Sequence, residues 1–201
     1  MAKVITVTHQ KGGVGKSTLA INLALCFQDH LSVALVDTDF QGSLYHIRQE
    51  FPELQIIGVN EFEEMRLFPQ DLVIVDTPPY LSDRLPVLFA NSDFILVPTK
   101  AGIFDVMAIR ATIQMVKDAQ LIEPRIKLGV VLNMVKHRSS ITKEITDLLT
   151  GMDAPLLNSK IHDRVSIARS ALTGGILKGT DQKAKEEITS LAEELVNLIS
   201  N

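Results

Sequence analysis

The sequence predicts an α/β three-layer sandwich, in which a mostly parallel, twisted central sheet is flanked by helices. Two observations carry this expectation. Short apolar, β-branched runs alternate with longer helical patterns, the signature of strand–helix–strand units built on a parallel sheet. The first of these strands also runs through a glycine-rich turn into an apolar helix, which places the turn at a carboxyl strand end, where such sheets bind ligands.

Taken in order, residues 4–8, 33–36, 72–75, 94–97 and 127–132 read as buried parallel strands, because they are nearly all apolar rather than alternating. Residues 55–59 and 154–157 are weaker strand candidates. Helical periodicity covers residues 16–28, 41–50, 82–90, 105–119, 139–150 and 181–200. No internal repeat, low-complexity segment or linker interrupts the pattern, so residues 1–201 are expected to form a single domain.

Composition narrows the class. The 201 residues suffice for one sizeable core, and 46% apolar content suits a folded α/β protein rather than a disordered one. A net charge of −4 excludes a uniformly basic nucleic-acid binder. Any DNA contact must come from a local patch, or from two such patches in a dimer. Cys26 is the only cysteine, which excludes an internal disulfide framework and a cysteine-rich metal site, and suits a reducing cytoplasm. No apolar run is long enough to cross a bilayer. The chain enters its first strand almost at once, leaving no room for a signal peptide, and the expectation is a soluble cytoplasmic protein.

The turn reads Lys11-Gly12-Gly13-Val14-Gly15-Lys16-Ser17-Thr18. Strand, glycine loop and helix together form the context that a phosphate-binding loop (P-loop) requires. Gly12, Gly13 and Gly15 let backbone N–H groups approach phosphate oxygens, and the helix N-terminus adds partial positive charge. Lys16 is expected to reach the β- and γ-phosphates of ATP, Ser17 to offer its hydroxyl to Mg2+, and Thr18 to bond the α-phosphate. The ordinary pattern G-x-x-x-x-G-K-[ST] is not met, because Gln10 occupies its first glycine position. The pattern K-G-G-x-G-K-[ST]-T is met instead, with an additional lysine at Lys11.

Hydrolysis also needs a metal and a positioned water. The second strand ends in Asp37-Thr38-Asp39 and the strand at residues 72–75 ends in Asp76, so both acidic clusters share the loop's edge of the sheet. Asp76 follows four apolar residues in the Walker B manner and is expected to hold Mg2+ through water. Asp39 is the candidate for orienting the attacking water, and Asp37 for supporting the metal shell. A lone strand-end aspartate equally suits a helix cap. Three of them in a P-loop chain favour the catalytic reading.

With these residues assembled, the chain resembles the ParA/MinD family of deviant Walker A ATPases, and the fold implied is the P-loop NTPase sandwich. The resemblance covers essentially the whole chain. It rests on residues 11–18, on Val36-Asp37-Thr38-Asp39-Phe40-Gln41-Gly42, similar to the family's V-D-x-D-P-Q-G, and on Val75-Asp76-Thr77-Pro78-Pro79, similar to its switch II. Phe40 replaces the usual proline. The resemblance implies that ATP closes a sandwich homodimer and that Lys11 crosses to the partner's phosphates, where a cation would offset developing charge. It also implies that Asn133, after the strand at residues 127–132, contacts adenine. A strand-end Asn is also a common turn residue.

Branches of the family separate by what is absent. MinD-like members carry a C-terminal amphipathic helix with a basic face for anionic membranes. Here the last helix has an apolar stripe of Ala184, Ile188, Leu191, Leu195 and Leu198, with Glu186, Glu187, Glu193 and Glu194 on its polar face. That stripe is expected to pack on the core, with no membrane partner. Iron–sulfur branches need paired cysteines, and Cys26 lies inside the first helix as a core residue. Because the chain begins in its first strand, it resembles the small ParA form without an N-terminal helix-turn-helix domain.

ParA-like proteins bind DNA non-specifically as ATP dimers through C-terminal basic residues. Between Asn158 and Lys185 lie Lys160, Arg164, Arg169, Lys178, Lys183 and Lys185 against Asp163 and Asp181, a local balance of +4. Lys160, Arg164, Arg169 and Lys178 are the DNA-binding candidates, with Lys136 and Arg138 as additions. An ordinary solvated helical face would carry the same residues. His137 and His162 have no metal-ligand spacing with the other histidines and read as surface residues.

The function expected from the resemblance is weak intrinsic ATP hydrolysis, stimulated by a ParB-like or other cargo adaptor. The enzyme would be nucleoid-associated when ATP-bound, and would partition or position a plasmid, a chromosome region or a protein complex. A metabolic ATP-dependent enzyme on the same scaffold would need a substrate pocket lined by catalytic groups, and the sequence offers none. A MinD-like membrane-associated positioning ATPase is the other alternative.

Overall fold

The computed structural model describes residues 1–39, 43–58, 65–136, 141–152 and 154–200. The strands are β1 (Lys3–Val7), β2 (Val33–Asp37), β3 (Gln55–Ile57), β4 (Leu72–Asp76), β5 (Phe94–Thr99), β6 (Lys127–Val135) and β7 (Leu156–His162). Among the described residues they form one seven-stranded sheet in the order β3-β2-β4-β1-β5-β6-β7, with every pairing parallel. The helices are α1 (Lys16–Gln28), α2 (Ser43–His46), α3 (Leu85–Ala90), α4 (Ile103–Ile122), α5 (Ile141–Thr150), α6 (Val165–Arg169) and α7 (Gln182–Ser200).

Apolar side chains of successive strand residues enter opposite cores, which is why the strands read as continuous apolar runs. Ile5, Leu35, Ile74 and Leu96 face one layer, where Leu19 and Leu23 of α1 and Ile188, Leu191 and Leu195 of α7 complete the packing. Val4, Val36, Val73, Val75 and Ile95 face the other, against Phe89 of α3, Ile109 and Ile113 of α4, and Ile145 of α5. The three-layer sandwich expected from the sequence is the one observed. Cys26 packs against the α1–α7 core, as expected. The stripe on α7 is buried at Ala184, Ile188, Leu191 and Leu195, whereas Leu198 at its end is 37% exposed.

β1 lies between β4 and β5, and Val7 is in register with both Asp76 and Leu96. Asp37 is in register with Asp76 across β2 and β4. The ends of β1, β2 and β4 are therefore level, and the loops that leave them converge.

Several elements depart from the sequence expectation. β6 continues to Val135, because its hydrogen-bond ladder runs on past the apolar residues. β7 is longer and displaced, Leu156–His162, with polar residues at its exposed positions because it forms a sheet edge. The expected helix at 41–50 is α2 plus a 3-10 turn at Arg48–Glu50, and residues 40–42 lie outside the described ones. α6 and the 3-10 turns Ser170–Leu172 and Ile176–Lys178 were not anticipated. Asn22 of α1 holds that segment, donating to Ser170 Oγ at 2.7 Å and accepting from Ile176 N at 2.8 Å.

Candidate nucleotide site

The glycine loop leaves β1 and enters α1 at Lys16. Gly13 and Gly15 have φ of 70° and 87°, left-handed conformations that favour glycine. At Gly15 space is also lacking, since a Cβ there would collide with Asn133 Nδ2. The first intrahelical bond runs from Leu19 N to Gly15 O at 2.9 Å, so the N–H groups before Leu19 have no partner within the helix. The first turn carries no acidic side chain and its N-cap no side-chain bond, which leaves this helix end open to an anion.

Lys16 is 6% exposed. Burial pulls its ammonium pKa down, and the nearby Asp76 and Asp39 carboxylates oppose that pull. Ser17 Oγ donates to Asp76 Oδ2 at 2.5 Å. Burial pushes the Asp76 carboxyl up to about 7, against the Ser17 hydrogen bond and the Lys16 charge, with Asp37 and Asp39 adding repulsion. Asp76 Oδ1 is buried without a hydrogen-bond partner. A hydroxyl and an orphaned carboxylate oxygen are hard donors that fit Mg2+. Among the described residues no group of three His, Cys, Asp or Glu could hold a metal ion by itself.

Asp37, expected to support the metal shell, has both carboxylate oxygens engaged by backbone N–H groups. Its Oδ2 accepts from Leu44 N at 2.9 Å and Tyr45 N at 3.0 Å, and its Oδ1 accepts from Asp39 N at 3.1 Å. The fully buried carboxylate thus secures the β2–α2 connection, which is the capping alternative raised by its position. Asp39 is half-buried and near enough to Lys16 to act on its charge.

Asn133, which the resemblance places against adenine, makes two hydrogen bonds within the chain. Its Nδ2 donates to Val14 O at 2.7 Å and its Oδ1 accepts from Met134 N at 2.9 Å. The side chain thereby braces the phosphate loop. Met134, with φ 54°, is the described non-glycine residue in the left-handed region.

Lys11 lies at the rim, its Nζ 2.6 Å from Asp105 Oδ1 in the first turn of α4. Beneath it, His9 is fully buried and its Nδ1 accepts from Lys11 N at 2.8 Å. Burial, reinforced by the Lys16 and Lys11 charges against that of Asp105, lowers the His9 pKa to about 4. Gly12 and Thr18 flank the loop, and Thr18 O accepts from Asn22 Nδ2 at 2.7 Å.

The basic residues do not form the free patch that their spacing suggested. Lys160 on β7 and Arg169 at the end of α6 are exposed. Arg164 is bound to Glu187 Oε1 through Nε at 3.3 Å and Nη2 at 2.8 Å, and Lys178 lies 3.3 Å from Glu53. Glu187 and Glu194, two turns apart on α7, also accept backbone N–H groups of the edge strand at His162, Asn158 and Ser159. Sequence reading missed this clamp, although the i, i+7 spacing of two glutamates on one helix face could have signalled it. Lys136 is exposed, and His137 and Arg138 lie outside the described residues.

A strand–glycine loop–helix with a buried lysine and a serine–aspartate pair defines a P-loop nucleotide-binding protein. The chain belongs to the CbiA family, the CobQ/CobB/MinD/ParA nucleotide binding domain, whose model matches residues 5–177. It is 28% identical over 210 residues to the "maintenance of carboxysome distribution protein A" of Halothiobacillus neapolitanus, with 97% of each chain covered. The ATP complex of an aspartate-to-alanine variant of Cyanothece McdA aligns with a TM-score of 0.80 at 16% identity, covering 98% of this chain and 96% of that one. The septum site-determining protein MinD of Pyrococcus horikoshii, complexed with Mg-ADP, aligns with a TM-score of 0.76 at 20% identity, covering 98% and 97%. At these identities the structural likenesses establish the fold alone.

Proposed function

We propose that this chain is a ParA/MinD-type positioning ATPase: it binds ATP and Mg2+ at the glycine loop, closes as a sandwich homodimer, binds DNA non-specifically as that dimer, and hydrolyses ATP when a cargo adaptor stimulates it. The observation that carries the reading is the convergence of Lys16, Ser17 and Asp76 on an open helix N-terminus with Lys11 at its rim.

Lys16 and the loop N–H groups hold the phosphates by charge and by hydrogen bonds. Ser17 and Asp76 would hold Mg2+, and the chemistry it would supply when bound is withdrawal of charge from the phosphate oxygens. Asp39, beside Lys16, orients the attacking water, and Asp37 keeps the connection that carries Asp39 in place. Lys11 supplies the cation in trans. A second copy also has a surface to cover. Phe104 is 85% exposed, Leu81 61% and Ile103 54%, on the segments that follow β4 and β5 beside the loop.

For DNA, Lys160 and Arg169 with the exposed Lys183 are the better-placed contacts, since Arg164 and Lys178 already have acidic partners. Doubling a modest patch in the dimer makes binding depend on ATP. The cargo is a protein complex, plasmid or chromosome region; the carboxysome relative favours a protein assembly. The MinD-like membrane alternative is disfavoured, because the α7 stripe is buried and Glu187 and Glu194 clamp β7. No helix among the described residues is long and apolar enough to cross a membrane.

The test is DNA binding by filter or gel retardation with ATP, with ADP, and with Asp39→Ala protein. Binding that needs ATP, weakens with salt and persists in the variant is expected. Absence of binding in every state, with fast unstimulated turnover, would overturn the reading.

A further inference from the structure

The two charged groups nearest the rim of the loop are joined within one chain, and that union has its own supports. Lys11 Nζ lies 2.6 Å from Asp105 Oδ1, with side chains 46% and 16% exposed. Asp105 stands in the first turn of α4, where a carboxylate is favoured by the helix dipole. Its carboxylate folds back over Gly102, and a Cβ on that residue would come within 2.7 Å of Oδ2. The absence of a side chain at Gly102 thus leaves room for Oδ2 there while Oδ1 meets Lys11. On the lysine side, the buried His9 ring accepts the Lys11 N–H and fixes the backbone from which the side chain departs. The aspartate end of the pair is thus partly shielded beside Gly102, and the backbone that carries the half-exposed Lys11 side chain is fixed by His9.

We propose that Asp105, with His9 setting the Lys11 backbone, is a positioning residue that holds Lys11 in cis in the nucleotide-free monomer and must release it before Lys11 can serve a second copy. The inference rests on the in-trans reading of Lys11 for its consequence, but not for the cis contact itself. Asp105 is a competitor of the phosphates for one ammonium group. Releasing one half-exposed ion pair shifts an equilibrium about two- to fivefold.

Two measurements separate the contact from its consequence. In the first, lysines of the nucleotide-free protein are labelled with limiting acetic anhydride and quantified by mass spectrometry. Asp105→Asn should raise Lys11 labelling about two- to fivefold relative to Lys160 and Lys183. Equal Lys11 labelling in wild type and variant would overturn the latch, whether or not any dimer forms. In the second, dimerisation with ATP is measured by sedimentation in the slow-hydrolysing Asp39→Ala background. Asp105→Asn should tighten the dimer by the same factor, and have no effect when Lys11→Ala is also present. A weaker dimer, or tightening that survives Lys11→Ala, would overturn the proposed competition. If Lys11 labelling rises but neither protein dimerises with ATP, the cis contact stands and the in-trans reading of Lys11 is what fails.

Discussion

Replacing Asn133 by alanine separates two roles for this side chain. In the structure its Nδ2 satisfies the carbonyl of Val14, a residue 1% exposed, and its Oδ1 satisfies the N–H of Met134. Alanine removes both bonds and fills neither space. A buried carbonyl left without a donor costs about 1–3 kcal/mol, and the partly buried Met134 bond contributes about 0.5–1.5 kcal/mol. Met134 also keeps a left-handed backbone that its neighbour no longer supports. The expected loss is about 2–4 kcal/mol in urea unfolding of the nucleotide-free protein, a large share of a typical domain's stability. Because Val14 lies inside the glycine loop, ADP affinity should fall by roughly tenfold, about 1.4 kcal/mol, with the preference for adenine over guanine nucleotides unchanged. Unfolding stability preserved within about 0.5 kcal/mol, with loss of base preference, would refute the bracing role and restore the adenine contact.

Other outcomes follow from the same geometry. His9 is buried with its pKa lowered to about 4, below the unfolded value, so the unfolded chain takes up the proton first and stability falls as pH drops below 6.5. At pH 5 the loss relative to pH 7.5 is about 2 kcal/mol, and a His9→Asn variant compared by chemical unfolding should lack that part of the slope. Glu187 is pushed upward by burial, but the Arg164 and His162 hydrogen bonds outweigh this and leave its pKa below the ordinary 4.5. Its stabilisation is therefore present at neutral pH and lost as pH falls through that value. Glu187→Gln should lower stability by about 1–3 kcal/mol at pH 7, with the gap closing toward pH 3. Ser17→Ala should retain Mg2+-free ADP binding but lose most of the Mg2+-dependent gain in affinity, as read by isothermal titration; an undiminished gain would remove Ser17 from the metal site.

The sheet and the loop were legible because their signals are local. Five strands were readable as apolar runs since each is buried on both faces, and Gly13 and Gly15 were readable because their backbone excludes most side chains. Ser17 was read from the phosphate-loop motif and Asp76 from a strand end on the same edge, and the two are in contact. What escaped depends on neighbours that only folding brings together. That the Asp37 carboxylate accepts the N–H groups of Leu44 and Tyr45 depends on where folding places those residues, which no periodicity reveals. Arg164 counted as a free positive charge until α7 placed Glu187 against it. Residues 165–178 lacked a visible pattern because a five-residue helix and two 3-10 turns are too short to show one. Asn22 and Ser170, which hold that segment to α1, are polar residues in an apolar setting and carry no spacing signal.

The central claim is that Lys11 turns a nucleotide site into an ATP-dependent dimer. It is tested most directly by sedimentation velocity on wild type and Lys11→Ala with Mg2+ and either ATP or ADP. The account predicts a species of twice the 22.2 kDa protomer for wild type with ATP only, and a protomer for Lys11→Ala with either nucleotide. A Lys11→Ala protein that dimerises with ATP as wild type does would contradict it.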